Sequence, residues 1–184
     1  NNEWFDYNCK TQLNKDDVFF LADICKTTNI EFMASAFHPR FVDWLEEVNV
    51  KRYKLASRSI HDRKLIDAIA ATGKPLLVSL GMWDHDTFPE IQSDKVGYLY
   101  CISKYPTPLE EIRLGEVDFS KYVGFSDHSI GISASVLALA RGARIVEKHY
   151  TLDKSLYGPD HGGSMKPNEL NMLARMRDDF LICL

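Results

Sequence analysis

Apolar positions along this chain fall into two alternating rhythms. Short runs rich in Val, Ile, Leu, Phe and Tyr recur at 30–36, 53–57, 75–79, 96–101, 122–126 and 144–148. They are too short for helices and mostly apolar at consecutive positions, which predicts six strands covered on both faces. Between them the spacing is helical at 15–28 behind an Asn14 cap, at 40–48, at 62–71 stopping at Gly73, at 132–141 stopping at Gly142 and at 167–180, with a weaker stretch at 86–92. Strand and helix in strict alternation predict βα units in a parallel sheet, an α/β fold. No Ser/Gly-rich linker or low-complexity segment interrupts the series, so residues 1–184 are expected to form a single domain.

The strand ends carry a second pattern. Ser35, Ser57, Ser79, Ser103 and Ser126 end a predicted strand or follow it closely, and His149 follows the sixth. One such Ser would be a turn residue; the recurrence points to a rim where strand ends and loops converge, as at the carboxyl face of a (β/α)8 barrel. A complete barrel has eight strands in about 250 residues, so the expectation is a TIM-type barrel lacking its first two strands. An open parallel edge is costly, and the chain begins at Asn1 rather than Met; either two strands lie outside this sequence or the barrel is a partial one.

Composition narrows the field. With 45% hydrophobic and 26% charged residues the chain can bury a real core. A formal charge of −4 and scattered Lys and Arg argue against nucleic acid as a partner. Apolar runs such as 75–79 fall far below the roughly 18 residues of a membrane span, and no charged-then-apolar leader opens the chain, so a cytoplasmic protein is expected. Cys9, Cys25, Cys101 and Cys183 lie far apart without a CxxC pair. They suggest neither a disulfide framework nor a thiolate zinc site, and read as small buried residues.

Candidate chemistry gathers at the same rim. His128 in the run 125–129 and His149 in the run 146–150 end successive strands. Two imidazoles so placed could share a divalent ion and leave positions open for water and a substrate carbonyl; two strand-end histidines making ordinary hydrogen bonds is an equal alternative. His38, His61, His85 and His161 are weaker candidates, His61 and His85 as solvated loop residues and His161 in a glycine-rich loop. Lys54 with Ser57 and Ser79 would make a cradle for phosphate or carboxylate, or Lys54 would snorkel to a carboxylate. Asp160 reads as a general base, a sugar-hydroxyl acceptor or an Asx-turn residue, and Tyr105 as a sugar platform or loop packing.

The runs 53–57, 73–82, 101–108, 123–129, 147–151 and 158–161 together resemble, in order and spacing, the N-acetylneuraminate (sialic acid) synthase family, with its legionaminic and pseudaminic acid synthases and related spore-coat polysaccharide synthases. The resemblance covers about 30–180. It implies a transferase that condenses phosphoenolpyruvate with an N-acetylated aminosugar such as N-acetylmannosamine and releases phosphate. His128 and His149 would bind a divalent metal, usually Mn2+, with Mg2+ or Co2+ as alternatives. Ser35, Lys54, Ser57, Ser79 and Ser126 would hold phosphoenolpyruvate, with Ser103 a less certain member, and Asp160 and Tyr105 would face the sugar. A homodimer is implied for the full-length form.

Three departures qualify the likeness. Where the family continues the Lys-x-x-Ser strand with Gly-Glu, this chain has Arg58-Ser59. The family's first two strands have no counterpart before Asn1, and its C-terminal antifreeze-like domain has none by Leu184. Two other readings stay open: a catalytically silent sugar- or phosphate-binding barrel, and an aldolase-like lyase using Lys54 as a Schiff-base amine.

Overall fold

A computed structural model describes residues 4–183. It is an α/β structure of six α-helices and five strands among the described residues, with β1/β2, β3/β4 and β4/β5 paired in parallel and the strand order β1-β2-β3-β4-β5. The fold class expected from the alternation is therefore the one found. By density of internal contacts the chain forms two compact units. One runs up to Val78 and takes in Asp84–Gly97; the other comprises Ser79–Trp83 and the residues from Tyr98 onward.

In the first unit, α1 (Phe5–Thr11) and α2 (Lys15–Thr27) precede α3 (Pro39–Glu47), β1 (Tyr53–Leu55), α4 (Arg63–Ala70) and most of β2 (Leu76–Ser79). The helix starts follow from local chemistry. Asn14 and Asp17 form a reciprocal capping box at 3.0 and 2.9 Å. His38 caps α3 through Nδ1, with Pro39 at the first helical position where its missing N–H costs nothing. β1 and β2 pair in register from Tyr53↔Leu76 to Leu55↔Val78. Both strands are buried, and Leu65, Ile66 and Ile69 of α4 are buried with them, giving the unit its core. Tyr53, fully buried, donates its hydroxyl to Glu46 at 2.7 Å, and Lys74 pairs with the same carboxylate. Burial first, and then Glu46, raise the Tyr53 phenol far above its ordinary value.

The second unit holds most of β3 (Val96–Cys101), then β4 (Gly124–Asp127), α5 (Ser133–Ala140), β5 (Ile145–Lys148) and α6 (Pro167–Cys183). Its core packs Leu114, Val117 and Phe119 with Phe125 of β4 and Ala134, Ala138 and Ala143 in and after α5. The Ala and Ser surface of α5 brings that helix close to β4. β4 meets β5 from Gly124↔Ile145 to Asp127↔Lys148. The glycine is required there: a Cβ on Gly124 would lie 2.0 Å from the Ile145 carbonyl oxygen.

Two expected elements are absent and one is new. Residues 30–36 form no strand; they make a single parallel bridge, Ser35↔Lys54. With Ile30, Met33 and Phe37 exposed, the segment buries too little apolar surface to hold a ladder. Residues 86–92 are irregular, interrupted by Pro89, which can supply no amide hydrogen bond. The helix α1 carries no buried residue, so it has no apolar face for the sequence pattern to display. Of the four free cysteines only Cys101 is buried; Cys9 and Cys183 are exposed and Cys25 is half-buried, contrary to the reading of all four as core residues. No described helix is long and apolar enough to cross a membrane.

Gly124→Ala should destabilise the chain by at least ~2 kcal/mol, because the contact is with backbone that cannot swing away. Urea denaturation followed by circular dichroism measures it, and a loss under 0.5 kcal/mol would contradict the close approach.

Candidate active site

The carboxyl ends of β4 and β5 are held together by a buried ion pair. Asp127 and Lys148 are register partners, their side chains 0% and 2% exposed and 3.0 Å apart. Both charges have several polar partners. Asp127 also accepts from the Ser129 amide at 2.8 Å, the Ser129 hydroxyl at 2.6 Å and the Ser135 hydroxyl at 2.5 Å. Lys148 donates to the Ser129 carbonyl at 2.6 Å. A buried pair is tolerated only with such satisfaction, since desolvation otherwise outweighs the attraction.

One residue beyond this pair on each strand stand His128 and His149, so the same register carries the two imidazoles to neighbouring positions. Their ring centres are 5.4 Å apart. His128 Nδ1 lies 2.9 Å from the Ile102 carbonyl. A carbonyl can only accept, so Nδ1 carries a proton, and in the neutral ring the lone pair is then on Nε2, the arrangement typical of a ligating histidine. His149 Nδ1 is 3.8 Å from Asp160 Oδ1. Burial is the largest influence on His149 and pulls its pKa below the ordinary value; Asp160 opposes this and His128 reinforces it. Neutral imidazole is the form that can bind an ion.

Tyr105 covers both rings, 4.1 Å from His128 and 5.7 Å from His149, centre to centre. Burial raises its phenol, with Cys101, Glu147 and Asp160 acting in the same direction. Tyr105, His128, His149 and Asp160 line a small cavity of about 30 Å3, room for a water or an ion. Two imidazoles sharing one ion at about 2.1 Å would stand with ring centres roughly 5 Å apart, so the pair fits a common ion. No group of three His, Cys, Asp or Glu side chains is assembled as a metal set among the described residues. Any ion here would take its remaining ligands from water or substrate.

Ser79 and Ser126 are in the same unit, and both hydroxyls turn to one carboxylate oxygen of Glu147, at 3.3 and 2.5 Å. An incoming oxyanion would compete with Glu147 for those donors. The Ser103 hydroxyl is buried near Gly81, where an added Cβ would meet it at 2.5 Å. His161 accepts from or donates to Thr151 Oγ1 at 2.8 Å in the 3-10 turn His161–Gly163 and does not join the pair of imidazoles. In the first unit, Ser35 and Lys54 are bridge partners, Lys54 is buried with Nζ donating to the Leu55 carbonyl at 3.1 Å, and Ser57 is buried in the 3-10 turn after β1. Sequence reasoning missed Asp127, Glu147 and Lys148. All three lie inside the runs that contain the two histidines, and charged residues at the end of mostly apolar strands were the available signal.

A sequence model of the NeuB family matches residues 1–180. The chain is 35% identical to the N,N'-diacetyllegionaminic acid synthase of Legionella pneumophila over 184 residues, which cover 91% of this chain and 52% of that protein. It is 34% identical to the N-acetylneuraminate-9-phosphate synthase of Drosophila melanogaster, covering 92% and 49%. The solved N-acetylneuraminic acid (sialic acid) synthetase of Leptospira borgpetersenii, a complex with citrate, superposes with a TM-score of 0.82 at 28% identity, covering 92% of this chain and 63% of that one. The chain thus spans about half the length of the curated relatives it matches.

Removing one member of the buried pair strands the other charge. Lys148→Met or Asp127→Leu alone should cost roughly 3–5 kcal/mol, and the double substitution less than the sum. Urea unfolding of the four proteins measures the cycle; strict additivity would show that the pair does not hold the two strand ends together.

Proposed function

Because the chain belongs to the NeuB family, we propose that it is part of the catalytic barrel of a synthase that joins phosphoenolpyruvate to an N-acetylated aminosugar and releases phosphate. The observation carrying this reading is the His128–His149 pair, set side by side by register, with His128 Nδ1 committed to the Ile102 carbonyl. The names of the relatives, synthases of legionaminic acid and of N-acetylneuraminate 9-phosphate, support the same class of product.

In this reading the two histidines hold a divalent ion through their free nitrogens, with Mn2+, Mg2+ or Co2+ as candidates. When bound, such an ion supplies Lewis-acid polarisation of the open-chain sugar's aldehyde. The phosphoenolpyruvate methylene carbon bonds to the aldehyde carbon, water adds at the carbon bearing the phosphate ester, and the C–O bond to phosphate breaks. The chain's own residues bind and orient. Tyr105 covers the imidazoles and limits access of bulk water, and Asp160 accepts a hydrogen bond from a sugar hydroxyl. Ser79, Ser126 and Ser103 offer hydroxyl donors in the second unit; Lys54, Ser57 and Ser35 offer a cation and hydroxyls in the first. Fixing two reactants in one orientation can lower the barrier by about 7–11 kcal/mol. The full-length protein is proposed to work as a homodimer.

The test is phosphate release from phosphoenolpyruvate by the full-length protein with N-acetylmannosamine and related aminosugars. Release should require added divalent ion, vanish with chelator and fall at least 100-fold in His128→Ala and in His149→Ala. Release that persists in chelator and in both variants would overturn the metal-site assignment; no release with any sugar, despite tight ion binding, would favour a silent binding barrel.

A further inference from the structure

The first unit contains an open cavity of about 610 Å3. Phe5, Phe37, Phe41 and Trp44 give it aromatic walls, and Phe41 and Trp44 meet edge to face at 4.8 Å. Ser35 supplies a hydroxyl, and Arg58 is the one charged residue in the lining among the described residues. The guanidinium of Arg58 lies over the Phe37 ring, 4.7 Å from its centre. Arg52, Arg63, Arg113 and Arg177 each have a carboxylate within reach; among the described residues none pairs with Arg58.

A guanidinium resting on an aromatic face has lost much of its freedom and hydration, while its in-plane N–H groups stay available. That is the state in which arginine best takes a phosphate or carboxylate through paired hydrogen bonds. Arg58 also follows Ser57 directly in the 3-10 turn Ser57–Ser59, at the end of the strand that carries Lys54. Among the described residues the cavity therefore combines apolar walls with a cation, at the carboxyl end of β1, that has no carboxylate partner.

We propose that Arg58 is a binding residue for the phosphate of a small phosphorylated ligand whose carbon skeleton packs against the aromatic walls of this cavity. The proposal rests on the synthase reading in one respect: it draws the ligand from that reaction. The phosphate is that of phosphoenolpyruvate or of a phosphorylated aminosugar acceptor, and both present the same dianionic ester to the guanidinium.

Calorimetry on the full chain separates the two sources. Phosphoenolpyruvate, N-acetylmannosamine 6-phosphate, unphosphorylated N-acetylmannosamine and inorganic phosphate are titrated into the parent protein, Arg58→Gln and Arg58→Lys. Arg58→Gln should weaken a phosphorylated ligand tenfold or more, Arg58→Lys should fall between, and the unphosphorylated sugar should be unaffected. Weakening confined to phosphoenolpyruvate assigns the phosphate to that substrate; weakening confined to the sugar phosphate assigns it to the acceptor. Unchanged affinities for every phosphorylated ligand, or no binding of any of them to the parent, would overturn the proposal. Arg58 is exposed, so thermal melting should not shift, which keeps a folding defect from mimicking the effect. The synthase reading fails by a different sign, intact phosphate binding with no phosphate release.

Discussion

The buried pair of Asp127 and Lys148 is the constraint on which the second unit's geometry depends. A one-residue slip between β4 and β5 would set Asp127 against Glu147 or His149 and Lys148 against Ser126 or His128, parting the two charges at a desolvation cost of several kcal/mol. Hydrophobic pattern alone gives weak register where both faces of a strand are covered. Here two charges supply what the pattern lacks, and the histidines one position further on inherit the alignment. The serines that complete the network do more than satisfy it: Ser129, directly after His128 in the chain, ties the loop back to Asp127.

Glu147 gives the neighbouring position a different character. Its carboxylate gathers the hydroxyls of Ser79 and Ser126, so donors that could receive an oxyanion are already engaged. Binding there becomes an exchange of one set of charge-assisted hydrogen bonds for another, with a net gain much smaller than the gross interaction. In the first unit Arg58 stands in the opposite condition, with its charge met among the described residues by a ring face. The two units thus differ in how prepared their polar groups are for an anion.

Much of this was legible in the sequence. Consecutive apolar runs marked β1 to β5 because parallel strands are covered on both sides, and the Asn14 cap and the stop at Gly142, whose φ is 103°, bounded their helices. His128 and His149 were readable as neighbours because strand ends in a parallel sheet align. What escaped was set by burial in three dimensions. Residues 30–36 have a strand's composition but only one bridge to show for it. Helix α1 forms with no apolar stripe. The roles of Asp127, Glu147 and Lys148 depend on which neighbour each side chain reaches across the sheet, and spacing along the chain does not encode that.

The weakly paired segment before α3 also bears on how the chain behaves in bulk. A sheet margin carrying exposed Ile30, Met33 and Phe37 invites other chains to add to it as concentration rises. Glu31, bound to Arg52 at 2.6 Å, sets a pair of charges in the middle of that margin. It acts as a gatekeeper, so the colloidal stability of the polypeptide depends on a residue that contributes little to the fold itself.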